Sequence, residues 1–253
     1  MKIFLTGASS GLGEALARHY AATGATLGLF ARREAELARV AASVAPATVV
    51  TYPGDVRDAT ALARAGADFT ARFGVPDVVI GNAGISRGTL TQEAGDMAAF
   101  RSVFETNVQG LVQTFQPFLA AMTAARHGVL VGVASVAGFR GLPGSGAYSA
   151  SKAAAITYLE SLRVELRGSG VAVVTICPGF IRTPMTAHNP YRMPFLLDAD
   201  KAARLIARAI SRRRRFYVLP WQMRVAGRAL KLLPRPLYEW AFFRSGRKPR
   251  RPD

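Results

Sequence analysis

The chain has 253 residues, half of them apolar, and one cysteine, Cys177. This size suits a folded α/β domain, and a single cysteine excludes an intrachain disulfide and a multi-cysteine metal site. The net charge is +17, but residues 201–253 hold 16 of the 33 Lys and Arg against two acids, Glu239 and Asp253. The basic character is therefore concentrated in the C-terminal part. We expect no signal peptide, no membrane-spanning segment and no bound metal, and thus a cytoplasmic protein.

Strand-like and helix-like runs alternate from the first residue onward. Apolar runs predict strands at residues 2–6, 26–31, 47–52, 77–81, 128–135, 171–177 and 216–219. Helical spacing predicts helices at residues 11–23, 33–43, 97–126, 148–167 and 200–211, and Asp58 is expected to cap one more. Strands of nearly continuous Val, Ile and Leu are typical of a parallel sheet that is buried on both faces. The sequence thus predicts an α/β fold, a Rossmann-type doubly wound parallel sheet of about seven strands with helices on both faces.

The stretch from residue 178 to residue 197 interrupts this alternation. It holds Pro178, Pro184, Pro190 and Pro194 together with several apolar side chains. A long irregular loop in a compact domain is usually a lid or a binding loop. We therefore expect residues 1–253 to form a single domain, with residues 180–200 as a substrate lid. Residues 221–253 then form a basic, aromatic C-terminal extension.

A glycine-rich turn, residues 6–13 (Thr-Gly-Ala-Ser-Ser-Gly-Leu-Gly), joins the first strand to the first helix. Gly7 permits a tight turn, Gly11 lets the backbone approach a pyrophosphate, and Gly13 lets helix and strand pack closely. The N-terminus of the helix adds free N–H groups and a positive dipole end, which favour phosphate. In this strand-to-helix context the motif predicts a dinucleotide site.

The end of the second strand indicates which dinucleotide binds. NAD-binding Rossmann units usually place an acid there to accept hydrogen bonds from the ribose hydroxyls. This chain has Ala31 at that place, followed by Arg32 and Arg33. Guanidinium groups suit a 2′-phosphate, so the sequence favours NADP(H) over NAD, against the alternative of two solvated arginines. Asp55, after the third strand, is expected to accept from an adenine amino group.

The second half of the chain holds a reactive set. Tyr148 and Lys152 are four residues apart on a predicted helix, so they share a face. An ammonium nearby favours the tyrosine anion and lowers its pKa from about 10. The hydroxyl can then exchange a proton with a carbonyl or alcohol near neutral pH. Ser135 ends the fifth strand, where ligands bind in such sheets, and is expected to hold the carbonyl oxygen opposite Tyr148.

These motifs, in this order, resemble the short-chain dehydrogenase/reductase family in its common single-domain form, over roughly residues 1–185. The glycine turn matches the family's glycine motif, and residues 82–84 match its structural Asn-Ala-Gly. Asn107, within residues 105–108 (Glu-Thr-Asn-Val), matches the catalytic asparagine. Residues 178–183 match the turn that borders nicotinamide, which places Thr183 near the carboxamide.

The resemblance implies a role for each matching residue. The implied catalytic residues are Asn107, Ser135, Tyr148 and Lys152. The implied cofactor-binding residues are Thr6, Gly7, Ser9, Ser10, Gly11, Leu12, Gly13, Arg32, Arg33, Asp55, Val56, Asn82, Ala83, Gly84, Tyr148, Lys152, Pro178, Gly179, Ile181 and Thr183. In this scheme Lys152 holds the nicotinamide ribose, and Asn107 supports a water that links Lys152 to solvent.

The resemblance also implies an activity, an NADP(H)-dependent transfer of hydride between nicotinamide and a carbonyl or alcohol substrate. Apolar residues in the lid, and a pocket wall expected at Phe139, Arg140 and Leu142, favour a hydrophobic substrate. Two alternatives stay open: a 3-oxoacyl reductase acting on acyl-carrier substrates, and a non-catalytic dinucleotide-binding or membrane-docking protein. The family often pairs through its two long central helices, so we expect a dimer or tetramer.

The C-terminal extension interleaves arginines with aromatic and apolar residues, and follows a run of four arginines at residues 212–215. This composition suits a helix lying on an anionic membrane surface. The alternative is that the apolar residues pack on the core or on a second subunit and leave the arginines solvated. An acidic protein partner, such as an acyl carrier protein, would also fit the charge. Nucleic acid would fit the charge as well, but no other feature favours it.

Overall fold

A computed structural model describes residues 1–187, 189, 192–243, 246, 248 and 250. Its main sheet comprises the strands β1 Lys2–Thr6, β2 Thr26–Ala31, β3 Val49–Pro53, β4 Val78–Gly81, β5 Val129–Val133, β6 Ala172–Pro178 and β9 Phe216–Leu219. These seven strands are parallel and lie in the order β3-β2-β1-β4-β5-β6-β9. The order confirms the predicted doubly wound sheet, whose strand order reverses between β1 and β4.

Helices connect the strands and follow the last one. Their bounds are α1 Gly11–Ala21, α2 Glu34–Ser43, α3 Ala59–Phe73, α4 Asp96–Phe104, α5 Gly110–Ala124, α6 Gly146–Glu165, α7 Ala199–Ser211, α8 Trp221–Leu232 and α9 Arg235–Phe242. Two short strands, β7 Ile181–Arg182 and β8 Leu197–Asp198, pair with each other apart from the main sheet. Among the described residues, no helix has both the length and the apolar character needed to cross a bilayer.

The two faces of the sheet carry separate apolar cores. Ile3 and Leu5 belong to one core and Phe4 to the other, because successive strand side chains point to opposite faces. The Phe4 ring packs 5.7 Å from the Phe69 ring and 4.7 Å from the Phe118 ring, measured between centroids. Burial on both faces explains why these strands are almost purely apolar in sequence.

The helix predicted over residues 97–126 is not one regular α-helix. Helix α4 ends at Phe104, a π turn covers Glu105–Gln109, and α5 begins at Gly110. Sequence periodicity did not indicate this turn, because a single wider turn leaves the apolar pattern on either side intact. The helix predicted from Tyr148 begins earlier, at Gly146. The predicted cap of α3 is correct, since the Asp58 carboxylate accepts hydrogen bonds from two backbone N–H groups.

Residues 221–242 of the C-terminal extension form α8 and α9, and one side of this pair packs on the rest of the domain. Met223 and Tyr238 are buried, and the ring of Phe139 lies against Gly227. This side matches the expectation of packing on the core. The other side exposes six large apolar residues: Trp221, Val225, Leu232, Leu237, Trp240 and Phe243.

Candidate active site

The glycine turn after β1 lines a cleft that opens where β1, β4 and β5 end. Gly7 and Gly11 have φ angles of +69° and +59°, a region that favours glycine. A Cβ atom on Gly13 would lie 2.1 Å from the carbonyl oxygen of Gly7. Gly13 therefore lets the first turn of α1 close onto the loop. The N-terminus of α1, with its positive dipole end, borders the cleft.

Asn82, which follows β4, fastens this loop to the sheet. Its side-chain amide donates to the carbonyl oxygens of Thr6 and Gly7 at 3.1 and 3.2 Å. The backbone N–H groups of Asn82 and Ala83 donate to the Thr6 hydroxyl at 3.2 and 3.3 Å. Thr6 is fully buried and is not part of the cleft wall. Its hydroxyl thus joins β1 to the end of β4 beneath the loop, instead of reaching the cleft as a direct cofactor contact would require.

Two guanidinium groups stand at one end of the cleft. Arg33 donates to the Ser10 hydroxyl at 2.6 Å and to the Ser9 hydroxyl at 3.1 Å, so it lies over the start of α1. Arg32 is exposed and lies 3.7 Å from the Asp55 carboxylate. Guanidinium and hydroxyl groups are donors that bind phosphate oxygens well. This end of the cleft therefore suits a phosphate group.

Asp55 lines the same end of the cleft, beside Val56. Burial alone would raise the pKa of its carboxyl, but hydrogen bonds and charge from Arg57, together with the charge of Arg32, hold the pKa below its usual value. Asp55 is therefore an anion at neutral pH and a strong hydrogen-bond acceptor. Ala31, at the end of β2, leaves no carboxylate at the place where one would accept from a ribose.

Tyr148 and Lys152 line the opposite part of the cleft, both from α6. The Lys152 ammonium lies 5.8 Å from the centre of the Tyr148 ring and donates to the Val133 carbonyl oxygen at 2.9 Å. Lys152 is only 5% exposed, and burial lowers its pKa to about 8. An adjacent cation favours the anionic form of a tyrosine, so the pair is suited to proton exchange.

Ser135 lines the cleft just beyond the end of β5. Its hydroxyl accepts a hydrogen bond from the Ala137 N–H at 3.1 Å, which caps the short 3₁₀ turn Val136–Gly138 and fixes the side chain. Cys177 is buried nearby on β6, and burial raises the pKa of its thiol to about 12. Cys177 is therefore a neutral packing residue.

Asn107 lies on the π turn, behind the cleft wall. Its amide oxygen accepts from the Ile85 N–H at 2.8 Å, and its amide nitrogen donates to the Ile85 carbonyl at 2.9 Å and to the Ser151 hydroxyl at 3.0 Å. A Cβ atom on Gly84 would lie 3.2 Å from the Asn107 amide oxygen and 3.3 Å from the Lys152 ammonium. Asn107 therefore holds the segment after β4 against α6, next to Lys152. Sequence reasoning identified Asn107 but neither of its partners.

The turn after β6 covers the glycine loop from above. The side chain of Thr183 lies 3.1 Å from the position of a Cβ atom on Gly11. The predicted lid, residues 180–200, is not wholly irregular, because β7 and β8 pair near its two ends. The pairing of β7 with β8 thus holds the two ends of the lid together. Pro190, which the sequence placed in the lid, lies outside the described residues.

Most of the predicted site residues meet in this one cleft. Those that line it are Gly7, Ser9, Ser10, Gly11, Leu12, Gly13, Arg32, Arg33, Asp55, Val56, Asn82, Ala83, Gly84, Ser135, Tyr148, Lys152, Pro178, Gly179, Ile181 and Thr183. Thr6 and Asn107 lie behind the wall. Sequence reasoning missed several lining residues: Gly54, Ile85, Thr106, Val133 and Ala134. Their only signal was proximity to a motif in the chain.

The pocket wall expected at Phe139, Arg140 and Leu142 is absent from the lining of the cleft in the described part of the chain. Arg140 instead donates from Nε to the Leu230 carbonyl at 2.8 Å, at the end of α8. The ring of Phe139 packs against α8 as well. This segment therefore anchors the C-terminal helices. The sequence could not indicate this role, because the contacts join parts of the chain that are about 90 residues apart.

The arrangement fits an extended nucleotide with a phosphate at one end. The glycine turn leaves room for a close backbone approach, Arg32 and Arg33 offer donors at one end, and Lys152 offers an ammonium at the other. This donor set suits a nicotinamide dinucleotide.

Comparisons with known proteins agree with this geometry. A family model described as short chain dehydrogenase matches residues 1–192. An uncharacterized oxidoreductase of Myxococcus xanthus is 41% identical over 239 residues, which is 94% of each chain. A short-chain dehydrogenase/reductase from Burkholderia phymatum, solved in complex with NAD, is 26% identical with a TM-score of 0.82 and covers 98% of this chain and 96% of its own. An alcohol dehydrogenase from Thermococcus sibiricus, complexed with 5-hydroxy-NADP, is 26% identical with a TM-score of 0.77 and covers 86% of this chain and 95% of its own.

Proposed function

Because the chain belongs to the short-chain dehydrogenase/reductase family, we propose that it is an NADP(H)-dependent oxidoreductase acting between a carbonyl and an alcohol. The observation that carries this proposal is the pairing of Tyr148 with the buried Lys152 in a cleft that Ser135 also lines. When bound, the dinucleotide supplies or accepts the hydride. The chain's own residues orient the substrate and move the proton.

In this proposal Tyr148 is the general acid of the reduction and the general base of the reverse reaction. Its hydroxyl gives a proton to the carbonyl oxygen, and the Lys152 ammonium stabilises the tyrosine anion that remains. Ser135 donates a second hydrogen bond to the same oxygen as charge develops there. Lys152 also holds the nicotinamide ribose. Asn107 keeps the Ile85 segment in place and supports the water that returns the proton through Lys152.

Arg33 and Arg32 support NADP(H) as the dinucleotide. Arg33 is already oriented by the Ser9 and Ser10 hydroxyls, so little side-chain freedom is lost when it binds a 2′-phosphate. Structural relatives include both an NAD complex and an NADP-type complex, so the choice rests on this chain's own residues. Asp55 accepts from the adenine amino group. The residues from Pro178 to Thr183 border the nicotinamide.

The substrate we propose is a hydrophobic ketone, aldehyde or alcohol. Pro184 and Met185, both within the lid (residues 180–200), add apolar side chains to the lining of the cleft. A 3-oxoacyl reductase acting on acyl-carrier substrates is a narrower version of the same activity. A non-catalytic dinucleotide-binding protein is the contrasting alternative, and the pairing of Tyr148 with a buried lysine argues against it.

We also propose that residues 1–253 form a single domain and that the protein is a homo-oligomer. Met97 and Phe100 on α4 and Val164 on α6 are exposed apolar residues, on the helices through which the family pairs. The exposed apolar side of α8 and α9 carries several arginines, which suits peripheral contact with an anionic membrane. Co-sedimentation with anionic vesicles tests that contact, while a second copy on the same side would appear as a change in oligomeric state.

The test of the activity combines nucleotide binding with turnover. We expect NADPH to bind more tightly than NADH, and Arg33→Ala to remove most of that preference. Tyr148→Phe should reduce turnover of a ketone panel by roughly 100-fold to 10,000-fold, the usual contribution of a general acid, yet keep NADPH binding. Tyr158→Phe, on the same helix, serves as the matched control. Substantial turnover by Tyr148→Phe, or no binding of either nucleotide, would contradict the proposal.

A further inference from the structure

The first turn of α6, which carries Tyr148, is capped by a residue from another part of the chain. Within the described residues, the N-cap residue Ser145 makes no side-chain hydrogen bond to the helix. Instead, the hydroxyl of Thr89, in the loop after β4, accepts a hydrogen bond from the Ala147 N–H at 3.3 Å. Ala147 is the second residue of α6, where a capping side chain usually accepts from the backbone. The residue that follows Ala147 is Tyr148.

Backbone contacts fix Thr89 at this place. Thr89 and Ser145 form a parallel bridge, and the Thr89 N–H donates to the Gly144 carbonyl oxygen at 3.0 Å. Thr89 is 8% exposed and Ser145 is 6% exposed, so water has little access to these contacts. A buried polar group that loses its partner destabilises the fold more than an exposed one does. The loop after β4 is therefore fastened to the start of α6 by two hydrogen bonds of one residue.

A second attachment holds the same loop to α6 on the other side of Tyr148. The Ser151 hydroxyl donates to the Tyr148 carbonyl oxygen at 2.8 Å, and the Asn107 amide donates to that hydroxyl at 3.0 Å. Asn107 also holds the backbone of Ile85, near the start of the loop. Tyr148 thus lies between the two attachments, one residue after the first and three residues before the second.

The position of the phenol decides how well it can transfer a proton. A general acid must lie within hydrogen-bond distance of the atom that it protonates. A displacement of about 1 Å, caused by a change away from the reacting atoms, can lower a rate about 100-fold. Thr89 is not among the described residues that line the cleft, so it acts on the reaction through the helix turn that carries Tyr148.

We propose that Thr89 is a positioning residue for the proton transfer, because its hydroxyl caps the first turn of α6 and so sets the place of the Tyr148 phenol in the cleft. This inference rests on the proposed function and deepens it. Thr89 lies outside every motif that the sequence displays, and 58 residues separate it from the N–H group that it accepts from.

The test compares Thr89→Val, which removes the hydroxyl and keeps a similar shape, with Thr89→Ser, which keeps a hydroxyl. The readouts are kcat for a ketone at saturation and the dissociation constant of NADPH. Thr89→Val should lower kcat by about 10-fold to 100-fold and change the NADPH dissociation constant by less than about twofold. Thr89→Ser should keep kcat within about threefold of the unmodified protein.

Thr114→Val is the matched control. The Thr114 hydroxyl is also buried, but it donates to the Gly110 carbonyl oxygen at 2.7 Å within α5. The control should leave kcat within about twofold of the unmodified protein. Thermal unfolding, followed by circular dichroism, fixes a temperature at which every variant is folded, so that a general loss of stability does not lower kcat.

Each outcome decides the inference. A kcat that Thr89→Val leaves unchanged overturns the role, even if the variant melts earlier. Equal losses of kcat and NADPH affinity overturn it as well, since the whole cleft is then disturbed, and so does an equal loss of kcat in Thr89→Ser or in the control. Turnover of a ketone by the unmodified protein tests the proposed function separately. If the ketone is reduced and Thr89→Val keeps its kcat, only this inference fails, whereas no turnover of any ketone overturns both.

Discussion

The guanidinium of Arg140 lies over the ring of Tyr238, 4.9 Å from its centre, and joins the loop after β5 to helix α9. The same guanidinium donates to the carbonyl oxygens of Leu230 and Leu233, where α8 ends. The Tyr238 hydroxyl donates in return to the Gly141 carbonyl. One arginine thus satisfies helix-end carbonyls and holds an aromatic ring at the same time.

Replacing Arg140 with methionine should loosen both C-terminal helices. Loss of hydrogen bonds from a charged donor and of the ring contact predicts a fall in the free energy of unfolding of about 2–3 kcal/mol. Hydrogen exchange should become faster in α8 and α9 and stay unchanged in β1. Arg64→Met, an exposed position on α3, is the control and should change stability by less than about 0.5 kcal/mol. Unchanged exchange in α8 would show that the arginine does not anchor these helices.

Gly13→Ala tests how closely α1 approaches the glycine loop. The added Cβ would lie 2.1 Å from a backbone oxygen and 2.7 Å from the Asn82 side-chain nitrogen, so the loop must move. We expect NADPH affinity to fall at least about tenfold and stability to fall by about 1–3 kcal/mol. Gly95→Ala is the matched control, because nothing lies within 4 Å of its Cβ position. Isothermal titration gives the affinities, and equal behaviour of the two variants would refute the close approach.

Asn107 and Ser151 are expected to act as one unit. Asn107→Ala leaves the Ile85 N–H and carbonyl without the partners they have now, so we expect a loss of about 2–4 kcal/mol in the free energy of unfolding. Ser151→Ala should cost about 1 kcal/mol. The double variant should lose less than the sum, with a coupling of about 0.5–1 kcal/mol measured by urea unfolding. Strictly additive losses would mean that the 3.0 Å contact contributes nothing.

The depressed pKa of Lys152 makes stability depend on pH in a defined direction. An unfolded lysine keeps its proton up to about pH 10.4, whereas folded Lys152 releases it near its pKa of about 8. Between these two pKa values the unfolded chain binds more protons than the folded chain, so the free energy of unfolding rises with pH. Lysine at this place therefore destabilises the fold most below about pH 8, and that effect fades toward about pH 10.

Urea unfolding of Lys152→Met and of the unmodified protein, without nucleotide, measures this effect. The stability difference between the two should shift in favour of the unmodified protein as the pH rises from about 7 to about 10. Lys201→Met controls for the titration of exposed lysines. A difference that stays constant, or moves the other way, would mean that Lys152 titrates at its ordinary value.

The features that the sequence predicted correctly depend on residues that are close together in the chain. The glycine turn, the apolar strands and the pair Tyr148 and Lys152 each lie within a few positions, and parallel topology brings their ends to one edge. Arg32 and Arg33 could be placed at the cleft because they come just after the end of β2. The motif at residues 105–108 singled out Asn107. It could not show that the side-chain amide of Asn107 is hydrogen-bonded to Ile85 and Ser151.

The features that the sequence missed depend on contacts between distant segments. Arg140 is 90 residues from the Leu230 carbonyl it binds, and Lys248 is 162 residues from Ser86. Nothing in the local pattern distinguishes either residue from a solvated surface cation. A basic run near a chain end is most simply explained by solubility or by an acidic partner. The folded chain nevertheless brings Lys248 to Ser86.

The π turn at Glu105–Gln109 has a consequence for how this chain can change in length. A wider turn takes up one residue more than an α-helical turn, so deleting one residue there would let the helix close into a regular spiral. The helices α4 and α5 would keep their relative orientation, because the wider turn already absorbs the extra residue. Met97 and Phe100 would stay on their present side, but the residues of the turn would shift, and Asn107 would leave Ile85. A single deletion within this turn would therefore preserve the outer surface of the helix and disturb the cleft alone.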